Sequence, residues 1–151
     1  MRCCEFAIIS VFIISGSLLC ADSLYVDDHI LYPNMDSTTA TGYYIPEDIE
    51  DCFDELNQML PEELIDEIKE KTEQDLIEYH FSLGILLRTI WNLWGESRLT
   101  EYFNNLEIFH PDDMSMIIIT SYYRYLHDQP IKLDEQIEYY LKFWENIRPS
   151  K

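Results

Sequence analysis

Positive charge is what this chain most lacks: ten Lys and Arg stand against 29 Asp and Glu, a formal net charge of −19. Phosphate backbones are bound by clustered Lys and Arg, so nucleic acid is excluded as a default partner. The same imbalance opposes an anionic membrane surface and favours basic partners or cations. Glycine is scarce too, with four residues, and alternating β-branched runs are few, which argues against a sheet-rich fold. No Gly-x-Ser-x-Gly elbow, glycine-rich phosphate loop or His-Glu-x-x-His run occurs, so the familiar nucleophile, nucleotide and zinc-protease signatures are missing. Nothing implies a metal or another cofactor.

Long apolar runs are limited to one. Phe6 to Leu19 is almost wholly apolar, follows an arginine, and leads into Cys20-Ala21-Asp22-Ser23. A run of about 14 residues suits the core of a secretory signal and is short for a bilayer span. Residues 1–21 are therefore read as a signal peptide, which places the protein outside the cell or in the cell envelope. Cys20 is a candidate lipidation site, although the small residue that usually precedes a lipidated cysteine is absent. Cysteine then runs out: Cys52 is left as the one thiol of the mature chain, so an intrachain disulfide framework is excluded. Its spacing with Ile49, Phe53 and Leu56 predicts a buried, inert thiol.

What is present is apolar and aromatic mass, 47% and 14% of the chain, enough for one helical domain without staples. Residues 22–44 are polar and aperiodic and read as a flexible arm. From 45 to 148 the spacing predicts about five or six helices in a small orthogonal bundle. Pro46, Glu47 and Asp48 open the first, which carries Ile49, Cys52, Phe53, Leu56, Met59 and Leu60 inward. Pro61 opens a second around Leu64, Ile65 and Ile68. Thr72 to Asp75 matches a capping box, predicting a central helix over about 73–92, apolar on most sides and enclosed by its neighbours. Gly95 is placed for a left-handed cap, and Ser97 for the start of a shorter helix. His110-Pro111-Asp112-Asp113 is a helix-start signal for a fifth helix reaching about His127. The last helix spans roughly 133–147, with Pro149 ending it.

Arg88 is the most informative residue. It lies on the predicted central helix with no acid four residues to either side, so its guanidinium needs an acceptor from elsewhere. Asp112 and Asp113 are the structural partners of choice; an anionic ligand is the alternative. Gly84, one turn earlier, would let another helix approach, near Ser121. His80 falls on the inner stripe, where a hydrogen-bonded core histidine is the ordinary outcome. His110 is expected to cap the fifth helix or face solvent. Were His80, His110 and Asp112 to converge, a general-base pair or a metal site would become available. Trp91, Trp94 and Tyr102 form an aromatic set that packs the core or lines a recognition groove.

Two segments, YHFSLGILLRTIWNLWGESRL and FHPDDMSMIIITSYYRYL, resemble an uncharacterised family of small bacterial domains over Ile45 to about Tyr140. That resemblance implies a helical domain of bacterial origin and no established activity. By position it adds Arg98 and Arg124 to His80, Arg88, His110, Asp112 and Asp113. Thr89 and Ile90 depart from the pattern, in which asparagines stand beside the arginine. The functional expectation is an exported module that binds another protein, basic in charge, in the manner of an inhibitor or immunity protein. The alternative is a small-ligand binder or enzyme built on a His/Arg/Asp pocket. Solvent access to Arg88 separates the two.

Overall fold

A computed structural model describes residues 33–147; the expected signal segment with Cys20, residues 22–32 of the expected arm, and Pro149 lie outside the described part. Seven helical segments follow one another, and an isolated bridge between Met35 and Tyr43 is the one β pairing among the described residues. The fold is all-α, a small bundle. No helix among the described residues is long and apolar enough to cross a membrane.

Helix α1 (Ile49–Met59) begins later than Pro46, because the Asp48 carboxylate accepts from Asp51 N at 2.9 Å and so fixes the N-cap. It buries Ile49, Cys52, Phe53, Leu56 and Met59 on one face. Burial also holds the Cys52 thiol well above its usual range. Helix α2 (Glu62–Glu70) follows Pro61 and buries Ile68. Next, the expected central helix divides. Residues Glu73–Phe81 form a 3-10 segment, Ser82 breaks direction with φ −115° and ψ −91°, and α3 runs from Leu83 to Ile90. The Thr72–Asp75 capping box is present, but Ile77 and Phe81 point outward, 63% and 79% exposed. A 3-10 turn closes on three residues rather than 3.6, so the second apolar stripe loses its alignment with the core.

The hub is α5 (Pro111–Leu126), which packs against α1, α2, α3, the 3-10 segment and α6 (Leu133–Ile147). Met114, Ile117, Ile118, Ile119 and Tyr122 are all essentially inaccessible, so its apolar surface wraps most of the circumference. Each such side chain contributes about 1.5–3 kcal/mol by leaving water. Helix α4 (Arg98–Asn105) is capped by Ser97, whose hydroxyl accepts from Thr100 N at 3.1 Å.

With so little glycine, helices end on other residues. Asn92, Glu107 and Asp128 adopt φ of 52°, 63° and 52° just after α3, α4 and α5. After α4, Ile108 N donates to Phe103 O and Glu107 N to Asn104 O, the paired bonds of a Schellman ending. Gly95 is not a left-handed cap; Asn92 takes that conformation three residues earlier. Residues 33–44 are not a free arm either. Asn34 donates through N and Nδ2 to the buried Glu55 carboxylate at 2.9 and 2.5 Å, and Thr41 Oγ1 donates to Ile90 O at 2.7 Å.

Candidate functional site

The first turn of α5 organises two adjoining sites. Pro111 pre-sets the turn, and His110 caps it by accepting from Asp112 N through Nδ1 at 3.3 Å. Successive residues of a helix point about 100° apart, so Asp112 and Asp113 diverge. Asp112 turns toward α3, and Asp113 toward α6.

On the α3 side, Arg88 is 3% exposed and meets three acceptors. Its Nη1 lies 3.1 Å from Asp112 Oδ1 and donates to Ser115 Oγ at 2.7 Å, while Nη2 donates to His80 O at 3.0 Å. The Ser115 hydroxyl in turn donates to Asp112 O at 2.9 Å. Gly84 creates the room: a Cβ there would sit 3.0 Å from Arg88 Nη1 and 3.3 Å from Tyr79 O. The neighbour that exploits the glycine is thus Ser115; Ser121 instead accepts from Gln136 Nε2 at 3.0 Å. His80 Nε2 is 3.9 Å from Asp112 Oδ1, and His110 Nδ1 is 3.6 Å from Oδ2. His80 Nδ1 is buried with no hydrogen-bond partner among the described residues.

On the α6 side lies an open cleft of about 460 Å³ between residues 107–110 and the last turns of α6. Trp144 Nε1 donates to Asp113 Oδ2 at 2.6 Å, and the Trp144 ring stacks on His110 with centroids 5.3 Å apart. Phe109, 68% exposed, stands at the rim with Glu107 and Glu145. Burial raises the Asp113 carboxyl above the usual aspartate range, opposed by the Trp144 hydrogen bond and by the charge of His110.

The remaining candidates lie elsewhere. Arg98 donates from Nε to Ile45 O and holds its guanidinium 4.6 Å over the Tyr44 ring, away from Arg88. Arg124 grips Glu73 with two bonds of 2.9 and 2.6 Å and donates to Ile131 O at 2.7 Å, tying α5 to the 3-10 segment. The aromatic set separates: Trp91 is fully buried, Tyr102 packs edge-on against Phe103, and Trp94 is 66% exposed. Among the described residues no three His, Cys, Asp or Glu converge on a metal-sized site.

Two residues were not singled out by sequence. Glu55, 1% exposed, anchors residue 34; an acid one position from Leu56 on a helix has no distinguishing local signal. Trp144 completes the cleft, and its indole N–H signalled only that some acceptor would be needed.

An all-α bundle with a buried arginine held by the first turn of its hub helix is the class these features define. The chain belongs to a family described as a domain of unknown function (DUF6794), whose model matches residues 45–126. The Arg88–Asp112 pair falls inside that match, and α6 with Trp144 falls outside it. No curated protein and no solved structure matches the chain.

Proposed function

We propose that this protein is an exported bacterial domain that works by binding another protein, basic in charge, in the manner of an inhibitor or immunity protein. The observation that carries this reading is the coexistence of a closed Arg88 site with exposed aromatics on an acidic surface. Arg88 commits three of its five N–H donors to Asp112, Ser115 and the His80 carbonyl, and at 3% exposure the guanidinium is shut off from a ligand in solution. A pocket centred on Arg88 therefore loses its support. Trp94, Phe109 and Tyr139, at 66%, 68% and 64% exposed, are large side chains left in water on a chain of net charge −19. Aromatics beside carboxylates suit a protein interface, and the charge would speed encounter with a basic partner.

The test is a pull-down with the mature chain from envelope and secreted fractions, followed by calorimetry with each purified candidate. A basic protein that binds directly, and more weakly as salt rises, is the expected result. Recovery of chaperones alone, unchanged between low and high salt, would overturn the reading.

A further inference from the structure

The cleft between residues 107–110 and α6 combines aromatic walls with a buried acid. Its walls are aromatic, from Trp144 and Phe109 with the His110 imidazole, and its acids are Glu107, Asp113 and Glu145. No Lys or Arg lines it among the described residues. Elsewhere, arginines pair with partly exposed acids, Arg88 with Asp112 and Arg124 with Glu73, and the buried Glu55 is held by two Asn34 donors. Among the described residues no Lys or Arg pairs with Asp113. It is 8% exposed, its one side-chain hydrogen bond is to the neutral Trp144 indole, and burial pushes its carboxyl toward the protonated form. A nine-tenths buried carboxylate with one oxygen committed to a neutral donor, opening on a cavity of about 460 Å³, has no Lys or Arg beside it among the described residues.

We propose that this cleft seats an arginine side chain of a basic protein partner. The inference rests on the protein-binding reading above and names the subsite at which that binding is anchored. Guanidinium fits better than ammonium for a geometric reason. Its plane can stack on the Trp144 ring while its edge donates to Asp113, and weaker hydration lets it leave water more readily. The Trp144–Asp113 bond holds the wall and the acceptor in one fixed orientation before the partner arrives, and Glu107 and Glu145 at the rim attract the incoming charge. Pre-organisation of this kind lowers the ordering cost of binding.

The experiment uses the full mature chain and follows the three tryptophan indole N–H signals by NMR, assigned by single Trp→Phe variants. It is titrated with N-acetyl-arginine methylamide to tens of millimolar and, in parallel, with the lysine and citrulline analogues. Citrulline keeps the shape and loses the charge. The expected result is a saturable shift of the Trp144 signal with arginine, about tenfold weaker or absent with citrulline, while the buried Trp91 and the distant Trp94 stay still. Asp113→Asn, checked for an unchanged fold by circular dichroism, should weaken the arginine effect about tenfold. Glu145→Gln at the rim should weaken it two- to threefold. Equal shifts with arginine and citrulline, no shift at Trp144, or an Asp113→Asn protein that binds as well as wild type would each overturn the proposal. If Asp113→Asn binds a basic partner protein with unaltered affinity, the subsite is wrong while the protein-binding reading stands.

Discussion

Arg88 on α3 and Asp112 on α5 face each other at 3.1 Å, 24 positions apart in sequence, with the arginine almost wholly out of water. The pair joins the two helices beside Gly84, which presents no side chain and leaves Ser115 of α5 3.6 Å from where a Cβ would stand. It ranks as a structural centre rather than an open site, because Ser115 and the His80 carbonyl join Asp112 around a guanidinium that is 3% exposed. Four predictions follow from this and neighbouring arrangements.

Removing one member of a buried pair strands the other. Arg88→Ala should therefore destabilise the domain by about 3–5 kcal/mol, read from the midpoint of urea unfolding. Arg88→Met combined with Asp112→Asn should cost less than the two single changes added together, since no lone charge is left behind. A loss under about 1 kcal/mol for Arg88→Ala would show that the cation is not buried in solution.

Alanine in place of glycine inside a helix normally gains about 1 kcal/mol. At Gly84 the new methyl meets Arg88 Nη1 at 3.0 Å and the Tyr79 backbone oxygen at 3.3 Å, and the backbone oxygen has little freedom to withdraw. Crowding of this kind costs about 1–3 kcal/mol, so Gly84→Ala should lower the thermal midpoint, and Gly84→Val should lower it further. A rise in Tm with alanine would contradict the close packing.

Glu107 holds φ at 63° immediately after α4, a conformation glycine adopts freely and a branched side chain resists. Its charge also lies at the negative end of the helix. Glu107→Gly should stabilise the fold by about 0.5–1 kcal/mol in chemical unfolding, while weakening attraction of cations to the cleft rim. Destabilisation by this change would mean that the left-handed turn is not populated.

Acid titration should separate two carboxylates by sign. The two Arg124 hydrogen bonds hold Glu73 below the usual glutamate range, so its contribution is present above the unfolded value and disappears as pH falls through the depressed one. Asp113 behaves oppositely. Burial raises its carboxyl in the folded state, so its ionisation penalty is complete above the raised value and fades as pH falls toward the unfolded one. Measured as Tm against pH, Glu73→Gln should lower stability at neutral pH and flatten the acid limb. Asp113→Asn should preserve stability at neutral pH, since an amide oxygen still accepts from Trp144. A neutral-pH loss as large as that of Arg88→Ala would refute the burial penalty at Asp113.

Much of the helical layout can be read from local chemistry. Ser97 and the His110-Pro111-Asp112-Asp113 run announce their helices because a cap is made by residues two or three positions apart. The break at Ser82 is different. Periodicity runs smoothly from Leu76 to Leu87, and no proline or glycine pair marks the point, so one rod is the natural reading of the residues alone. The choice between 3-10 and α turns over Glu73–Phe81 is small in energy per residue, and packing beneath α5 decides it. The same packing leaves Phe81 and Ile77 in water, against their periodicity.

The candidate site divides along the same line. A guanidinium on an apolar helix face has to find an acceptor, and that much is dictated by residue chemistry. Which acceptor, and whether any donor is left over for a ligand, depends on the rotation of α5, which one helical step sends Asp112 to Arg88 and Asp113 to Trp144. By itself, the sequence determined composition, charge and the capped starts of the helices, because these are settled within a few residues of chain. Only the tertiary structure decided that α5 rather than residues 73–92 is the hub, that Arg88 is closed, and that a cleft opens beside Asp113. Those outcomes depend on contacts between residues dozens of positions apart, where burial and pair geometry outweigh every local preference.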